Sequence, residues 1–521
     1  KTSNLTYPDL SCAHLTYLHC CQTILRMLRK KMKTRLAKIL LLMTTIATQA
    51  GHAEPATHSD AHSSGNVDPT APIAALDKLT SLKTTAPLKV TLPDIIHFTT
   101  DSGTPVALVQ THNLPIVDVS VYFNAGSARD EAIKKGGFGI ASLTASMLDQ
   151  GTRHKSEDEI AETSEQLGID LSARAYKDMF IVSLRSLSDE ARLSSALGLM
   201  SDMMTQPTFP NKNFERTKAQ YLIRLQQAKE DPDSIASKAF AAALYGNHPY
   251  AHPTQGTEDS IAKINATDLK AFSQQFLVAK NANIAITGDI SLERARALAN
   301  QLTAQMPVGT AAPKLADAKP LNAAKTIHIP FDSTQTTVLM GQLGQKRVVD
   351  TLGLQHQTNF AIADEIVGGG NFQARLMEDI RKKRGLTYGI YSSTTPMLAQ
   401  GSYTISFSTR NQKSQEAIEA TKQVIKNTLE KGVTPNELAL TKDSLINSFP
   451  TSFASNAAMN ATVGMMGFYQ LPDSYLTEYV TRVQRADLHA VNQSYKDLID
   501  PNKFLIVTVG NATPNTTKTA K

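Results

Sequence analysis

Gly137-Phe-Gly-Ile-Ala-Ser142-Leu-Thr-Ala145-Ser146-Met-Leu-Asp-Gln-Gly-Thr152 predicts a glycine-led helix. Ile140, Leu143, Met147 and Leu148 recur at helical spacing, and Gly151 stands where a C-terminal cap belongs. Residues three and four apart share a helix face, so Ser142, Ala145 and Ser146 line one stripe of it.

Downstream, Lys155-Ser-Glu-Asp-Glu-Ile160 starts a serine-capped helix with acids in its first turn. Residues 167–175 then lead through Asp178 into the alternating strand Phe180-Ile-Val-Ser-Leu184. Alternating strands (Val117 to Phe123, Tyr403 to Ser408) mix with long helical patterns (Glu157 to Leu167, Gln415 to Leu429) along the whole chain. The fold class is α+β, with largely antiparallel strands. The chain also repeats itself. Asp268-Leu-Lys-Ala271, Phe276 and the strand Asn281 to Gly288 recur as Asp487-Leu-His-Ala490, Tyr495 and Asn502 to Gly510. The leading aspartates lie 219 residues apart (268 and 487) and the closing glycines 222 (288 and 510), so duplication into two similar halves explains both. Between them, residues 306–324 are rich in Ala, Pro and Lys and predict an extended linker.

Residues 1–53 have another character. From Met32-Lys-Thr-Arg35 they run through the apolar Ile39-Leu-Leu-Leu-Met43 to Gly51-His-Ala53, the pattern of a secretory signal peptide cleaved after Ala53. The preceding residues are an upstream extension of the frame, with Met27 or Met32 as the start. This segment holds eight Lys/Arg and one acid, leaving 45 basic and 46 acidic residues in the remainder. The basic excess is therefore no argument for binding nucleic acid or a membrane. Cys12, Cys20 and Cys21 also lie in it, which leaves the mature chain no disulfide, thiol nucleophile or lipid anchor. Residues 54–88 make a flexible lead-in whose His58 and His62 belong to a solvated tail. The expected division is 1–53, 54–88, a first domain 89–305, the linker 306–324 and a second domain 325–515, in a soluble periplasmic protein of a Gram-negative bacterium.

The Gly137–Thr152 stretch resembles the zinc-binding helix of the pitrilysin/insulinase metallopeptidases, with their inverted H-x-x-E-H signature. The three signature positions carry Ser142, Ala145 and Ser146. Serine does not replace imidazole, and alanine offers neither base nor ligand. The resemblance places the third zinc ligand, a glutamate, some 75 to 80 residues beyond the second histidine, where Arg224 falls; a fixed cation there repels a metal. It implies two homologous domains facing each other like a clam shell. It also implies an open edge strand, here Ser172-Ala173-Arg174, that holds a substrate peptide by backbone pairing. His248-Pro-Tyr-Ala-His252 matches the family's structural turn; its Pro249 argues against a helical metal site.

In the second half, Gly368-Gly-Gly-Asn-Phe372 predicts the opening of a helix with Phe372, Leu376 and Ile380 on one stripe, ending at Arg381-Lys-Lys-Arg384-Gly385. The glycines lack the Lys-Ser/Thr of a phosphate loop. Leu386-Thr-Tyr388-Gly-Ile-Tyr391 reads as a strand. Leu376 to Tyr391 resembles the family's R-x-x-x-G-L-x-Y segment, whose Arg and Tyr are Arg381 and Tyr388. In active members that pair reaches the scissile carbonyl. Loss of the zinc motif with retention of Arg381 and Tyr388 implies a zinc-free subunit, without cofactor of its own. A partner carrying H-x-x-E-H would supply the zinc, and unfolded peptides would be the substrate. The alternative is a non-catalytic peptide-binding or scaffold protein of the same family.

Overall fold

A computed structural model of the protein describes residues 92–511. The segments expected to be a signal peptide (1–53) and a lead-in (54–88), and the last ten residues, lie outside the described residues. Strands β1 (Ile96–Thr99), β2 (Pro105–Gln110) and β3 (Ile116–Phe123) precede helices α1 (Asp130–Ile133), α2 (Ile140–Ala145) and α3 (Glu157–Leu167). Next come β4 (Asp170–Ala175), β5 (Phe180–Leu187), α4 (Glu190–Thr205), α5 (Asn211–Gln227), α6 (Pro232–Tyr245), α7 (Glu258–Lys263), α8 (Ala266–Phe276), β6 (Ala282–Gly288) and α9 (Leu292–Thr303). The second half begins with β7 (Lys325–Pro330), β8 (Gln335–Leu343), α10 (Thr351–Gly368) and a π-helix (Met377–Lys383). It continues with β9 (Thr387–Thr394), β10 (Ser402–Arg410), α11 (Ser414–Lys431), α12 (Pro435–Ser448) and α13 (Asn456–Tyr469). It ends with α14 (Ser474–Thr477), α15 (Tyr479–Arg485), α16 (Leu488–Leu498) and β11 (Leu505–Gly510).

The duplication is written into the topology. The first sheet has order β1-β2-β6-β3-β5-β4 and the second β7-β11-β8-β10-β9. Leaving out β1, the two are the same: one parallel pair (β2 with β6, β7 with β11) and antiparallel pairs elsewhere. The repeated stretch is α8–β6 in one half and α16–β11 in the other; both strands are buried along their whole length. Each sheet packs one face on its own helices, forming two separate apolar cores.

The other face of each sheet takes a helix from the opposite half. Helix α13 lies on β6, β3 and β2, with Met459 and Val463 against Ala107, Val109 and Ala285. Helix α6 reciprocates on β11 and β8, with Ala236, Phe240 and Leu244 against Leu343, Leu505, Val507 and Val509. Close approach of α13 depends on Gly464, where a Cβ would stand 2.1 Å from the Tyr122 ring. Buried Asp178 ties the junction. It accepts from the Tyr250 hydroxyl of its own half, and from the Leu398 N–H (2.9 Å) and the Tyr469 hydroxyl (3.2 Å) of the other.

Residues 306–324 carry no regular structure, yet they are strapped down. Pro307 and Val308 carbonyls accept from Ala279 and Lys280, Ala316 O pairs with His248 Nε2 at 2.9 Å, and the Ala318 N–H donates to Gln400. The linker is an extended strap docked on both halves, not a free spacer. The Gly368–Gly370 run closes α10, and the expected helix follows it from Arg375, a few residues later than predicted, running on as the π-helix to Lys383. The C-terminal half of α10 is buried almost all round, polar Asn359 and Asp364 included, so its period is hidden in the sequence. Leu376 and Ile380 are buried as expected, but Phe372 is 59% exposed.

Candidate peptide cleft and Arg/Tyr patch

The zinc-motif stripe is held by its approach. Gly139 precedes α2 at φ +101, a conformation that favours glycine, and the buried Asp130 carboxylate accepts from the N–H of Gly139 (2.7 Å) and of Ala141 (2.9 Å). Burial pushes the Asp130 carboxyl up to about 8, against those two hydrogen bonds and the field of Lys177. Regular helix ends at Ala145, with Ser146 as its cap; Gly151 follows a turn and does not cap it.

The Ser142 hydroxyl donates to Thr254 O at 2.9 Å. The Tyr221 hydroxyl spends its one proton on Ser142 O (2.9 Å), so Ser146, 2.7 Å away, donates to it. Burial raises the Tyr221 pKa, which keeps the phenol neutral. Zinc sites are built from imidazole, thiolate and carboxylate. Here the corresponding place holds two alcohols, a phenol and the Ala145 methyl, their hydrogens already committed to one another and to carbonyls. These residues do not fit a zinc ion. Among the described residues no group of three His, Cys, Asp or Glu stands close enough to hold a metal. His248 is engaged at both nitrogens, accepting from the Tyr250 N–H and pairing with Ala316 O, while His252 stacks on Phe138 at 3.5 Å.

Arg224 stands on α5 but is exposed, its guanidinium 5.7 Å from the centroid of the Tyr221 ring. The side chain that reaches the motif is Tyr221, one turn earlier and 75 residues beyond Ser146. Its only signal in the sequence is that spacing.

Strand β4 closes the opposite wall. It is the edge of its sheet and pairs on its outer side with no described strand. Ser142, Ala145, Ser146 and Tyr221 face Ala173, Arg174 and Ala175 across an open cleft of about 470 Å³. On the other face of the same strands, Ser172 pairs in register with Ser183, whose hydroxyl is 3.0 Å from Ser120. Beside that row, Arg185 grips buried Asp118 through two nitrogens at 2.8 and 3.1 Å.

Arg381 and Tyr388 do not line this cleft. Arg381 lies in the π-helix, a helix form frequent at functional sites. It makes no salt bridge among the described residues, and its guanidinium lies 4.9 Å from the Phe372 ring centroid. Tyr388 lies on β9, the edge strand equivalent to β4, and is 88% exposed. Pairing of Phe407 with Ile390 and of Thr409 with Thr387 leaves Tyr388 and Gly389 opposite Ser408 alone. This is a β-bulge, a device that re-aims a side chain. Phe372 and Tyr388 are thus both exposed, with half-buried Arg381 over the Phe372 ring on the π-helix that packs against the strand of Tyr388.

A duplicated α+β architecture with an edge-strand cleft beside a metal-motif helix stripped of its ligands defines a metallopeptidase-like protein of the non-catalytic kind. Residues 105–258 match the family model for the insulinase peptidases (family M16), and residues 263–445 match that for the M16 inactive domain. A solved structure titled as a peptidase M16 inactive domain from Pseudomonas fluorescens is 36% identical, covering 81% of this chain and 98% of that one, with a TM-score of 0.76. The Helicobacter pylori protein named "Non-peptidase homolog YmxG" is 25% identical over 416 residues, 78% of this chain and 92% of that protein. The solved first half of the periplasmic protease PqqL from Escherichia coli shares the fold at 16% identity and a TM-score of 0.68, covering 81% of this chain and 93% of that one. The chain belongs to the insulinase family, peptidase family M16, and is an inactive-type homologue within it.

Proposed function

We propose that the chain is the zinc-free subunit of a two-chain insulinase-type endopeptidase of the periplasm. It supplies half of the chamber, the β4 edge, and the Arg381/Tyr388 pair to a partner that carries the zinc. The observation that carries this reading is the contrast between two sites. The motif positions are tied up in hydrogen bonds among Ser142, Ser146 and Tyr221, while Tyr388 stands exposed and half-buried Arg381, over the Phe372 ring, makes no salt bridge among the described residues. A guanidinium and a phenol placed at a developing oxyanion contribute about 3 kcal/mol each, by analogy with single oxyanion-hole donors. Exposed aromatics beside an arginine also suit an interface core. The PqqL structure supports the arrangement, because a unit of this size is there one half of a periplasmic protease. Among the described residues no helix is long and apolar enough to cross a membrane.

The experiment is peptide cleavage by the reconstituted pair. Arg381→Ala and Tyr388→Phe should each lower turnover about 100-fold without loss of assembly. Unchanged cleavage by the double variant overturns the role. Capture of peptides with no cleavage in any company would favour the binding-protein alternative, in which the β4 edge alone is used.

A further inference from the structure

Strand β4 ends the first sheet, and on its face toward α13 three rows of side chains run across β3 and β5 and stop there. Residues opposite one another on antiparallel strands are neighbours on one face, so the register gives each row. The first is Asp118, Arg185, Asp170; the second Ser120, Ser183, Ser172; the third Tyr122, Ile181, Arg174. All three line one open cleft of about 330 Å³, walled on its far side by α13. Their charges are unbalanced within the chain. Arg185 binds Asp118 through two nitrogens and also lies in the field of Asp170, so one guanidinium serves two carboxylates. Asp170 and Arg174 are both exposed, and neither makes a salt bridge among the described residues. Four residues apart along a strand, they stand about 13 Å from each other, too far to pair. On the opposite face, Leu171 and Ala173 are half-buried against the first core, and Ala173 borders the cleft beside Ser142 and Ser146.

A peptide added to this edge extends every row by one side chain. Antiparallel addition sets residues squarely opposite one another and is slightly the more stable of the two directions. Across such a pair opposite charges attract and like charges repel. The row of Asp118, Arg185 and Asp170 alternates in sign and is completed by a cation. The row that ends at Arg174 is completed by an anion, and the serine row by a further small polar group. We infer that β4 selects segments with an acidic residue opposite Arg174, a small polar one opposite Ser172 and a basic one opposite Asp170. Along the peptide the order is acidic, apolar, small polar, apolar, basic, with the apolar residues on the face of Leu171 and Ala173. That selectivity rests on the proposed use of the β4 edge to hold peptides.

The test is fluorescence anisotropy of the full chain with three labelled, end-blocked peptides. They are Thr-Glu-Val-Ser-Val-Lys-Thr, the same with Glu and Lys exchanged, and the same with Gln at both places. Each cross-strand charge pair is worth a factor of about 1.5 to 5 in affinity. The first peptide should therefore bind about fivefold tighter than the neutral one and about tenfold tighter than the exchanged one, with a margin that shrinks in high salt. Asp170→Lys together with Arg174→Glu should invert the order. Equal binding of all three overturns the selectivity while leaving peptide holding at β4 intact. Tighter binding of the exchanged peptide to the unsubstituted chain overturns the antiparallel register, and an order that the double variant leaves unchanged overturns the assignment to Asp170 and Arg174. No binding of any peptide up to about 1 mM overturns peptide holding at β4 and the selectivity with it. Should the double variant fail to fold, Arg174→Gln alone decides, since it should reduce the margin of the first peptide over the neutral one.

Discussion

Ser142, Ala145 and Ser146 were legible because a helix fixes its own neighbours: three positions within one turn share a face wherever the helix lies. Tyr221 was not legible, because registering α5 against α2 across 75 residues needs the tertiary structure, and a one-turn slip exchanges Tyr221 for Arg224. The difference is testable. Ser142→His, Ala145→Glu and Ser146→His together should take up little zinc. Adding Tyr221→Glu should bring zinc toward one per chain, whereas adding Arg224→Glu should not, since that side chain points to solvent. Equal uptake with Arg224→Glu, measured as metal content after gel filtration, would contradict the assignment. Asp364 carries a prediction of its own. It is 7% exposed, accepts from the Ser392 hydroxyl, and is raised to about 6, chiefly by burial. A carboxyl with a raised folded pKa binds more protons folded than unfolded between about 4 and 6. Stability should therefore fall as pH rises across that window, by roughly 2–3 kcal/mol, and stay reduced above it. Asp364→Asn, followed by denaturant melts at pH 4 and 7, should remove that part of the slope; an unchanged slope would refute it.

Among the elements, those with a clear period were legible, such as β3, β5, β10, α3 and α11, and α3 spans the predicted Glu157 to Leu167. Features that break period were hidden. The bulge at Tyr388 and Gly389 and the π-helix at Met377–Lys383 each depart from regular pairing for tertiary reasons, and both lie at the Arg/Tyr patch. Nor does any local pattern tell that α6 and α13 leave their own halves. Helix α13 has small residues where it meets the facing sheet: Gly464 against Tyr122, and Gly467 with its would-be Cβ 2.4 Å from the Asn283 side-chain oxygen. Gly464→Ala should gain about 1 kcal/mol of helix propensity but lose about 1–3 to overpacking, for a net loss of stability. A lower denaturation midpoint with unchanged denaturant dependence is the expected result; a rise in midpoint would show that the contact yields.

At the scale of the molecule, the sequence repeat announced two similar domains, and the equal strand orders bear that out. The reciprocal α6/α13 exchange and the Asp178 junction make the halves interdependent, since each sheet depends on the other half to cover a face. Residues 89–305 and 325–515 produced separately should each expose an apolar sheet face and aggregate, while the whole chain unfolds in one transition. Two well-separated calorimetric transitions would contradict this. The same interdependence suits the proposed role as one rigid half of a chamber, in which β4 and the Arg381/Tyr388 pair are held in place for the proposed partner. The most direct measurement is the native mass and zinc content of the protein recovered gently from its own cells. The account predicts a second polypeptide, a particle near twice the mature mass and about one zinc per pair, bound to the partner. A stable zinc-free monomer or self-dimer, unchanged after cross-linking in the cell, would contradict it.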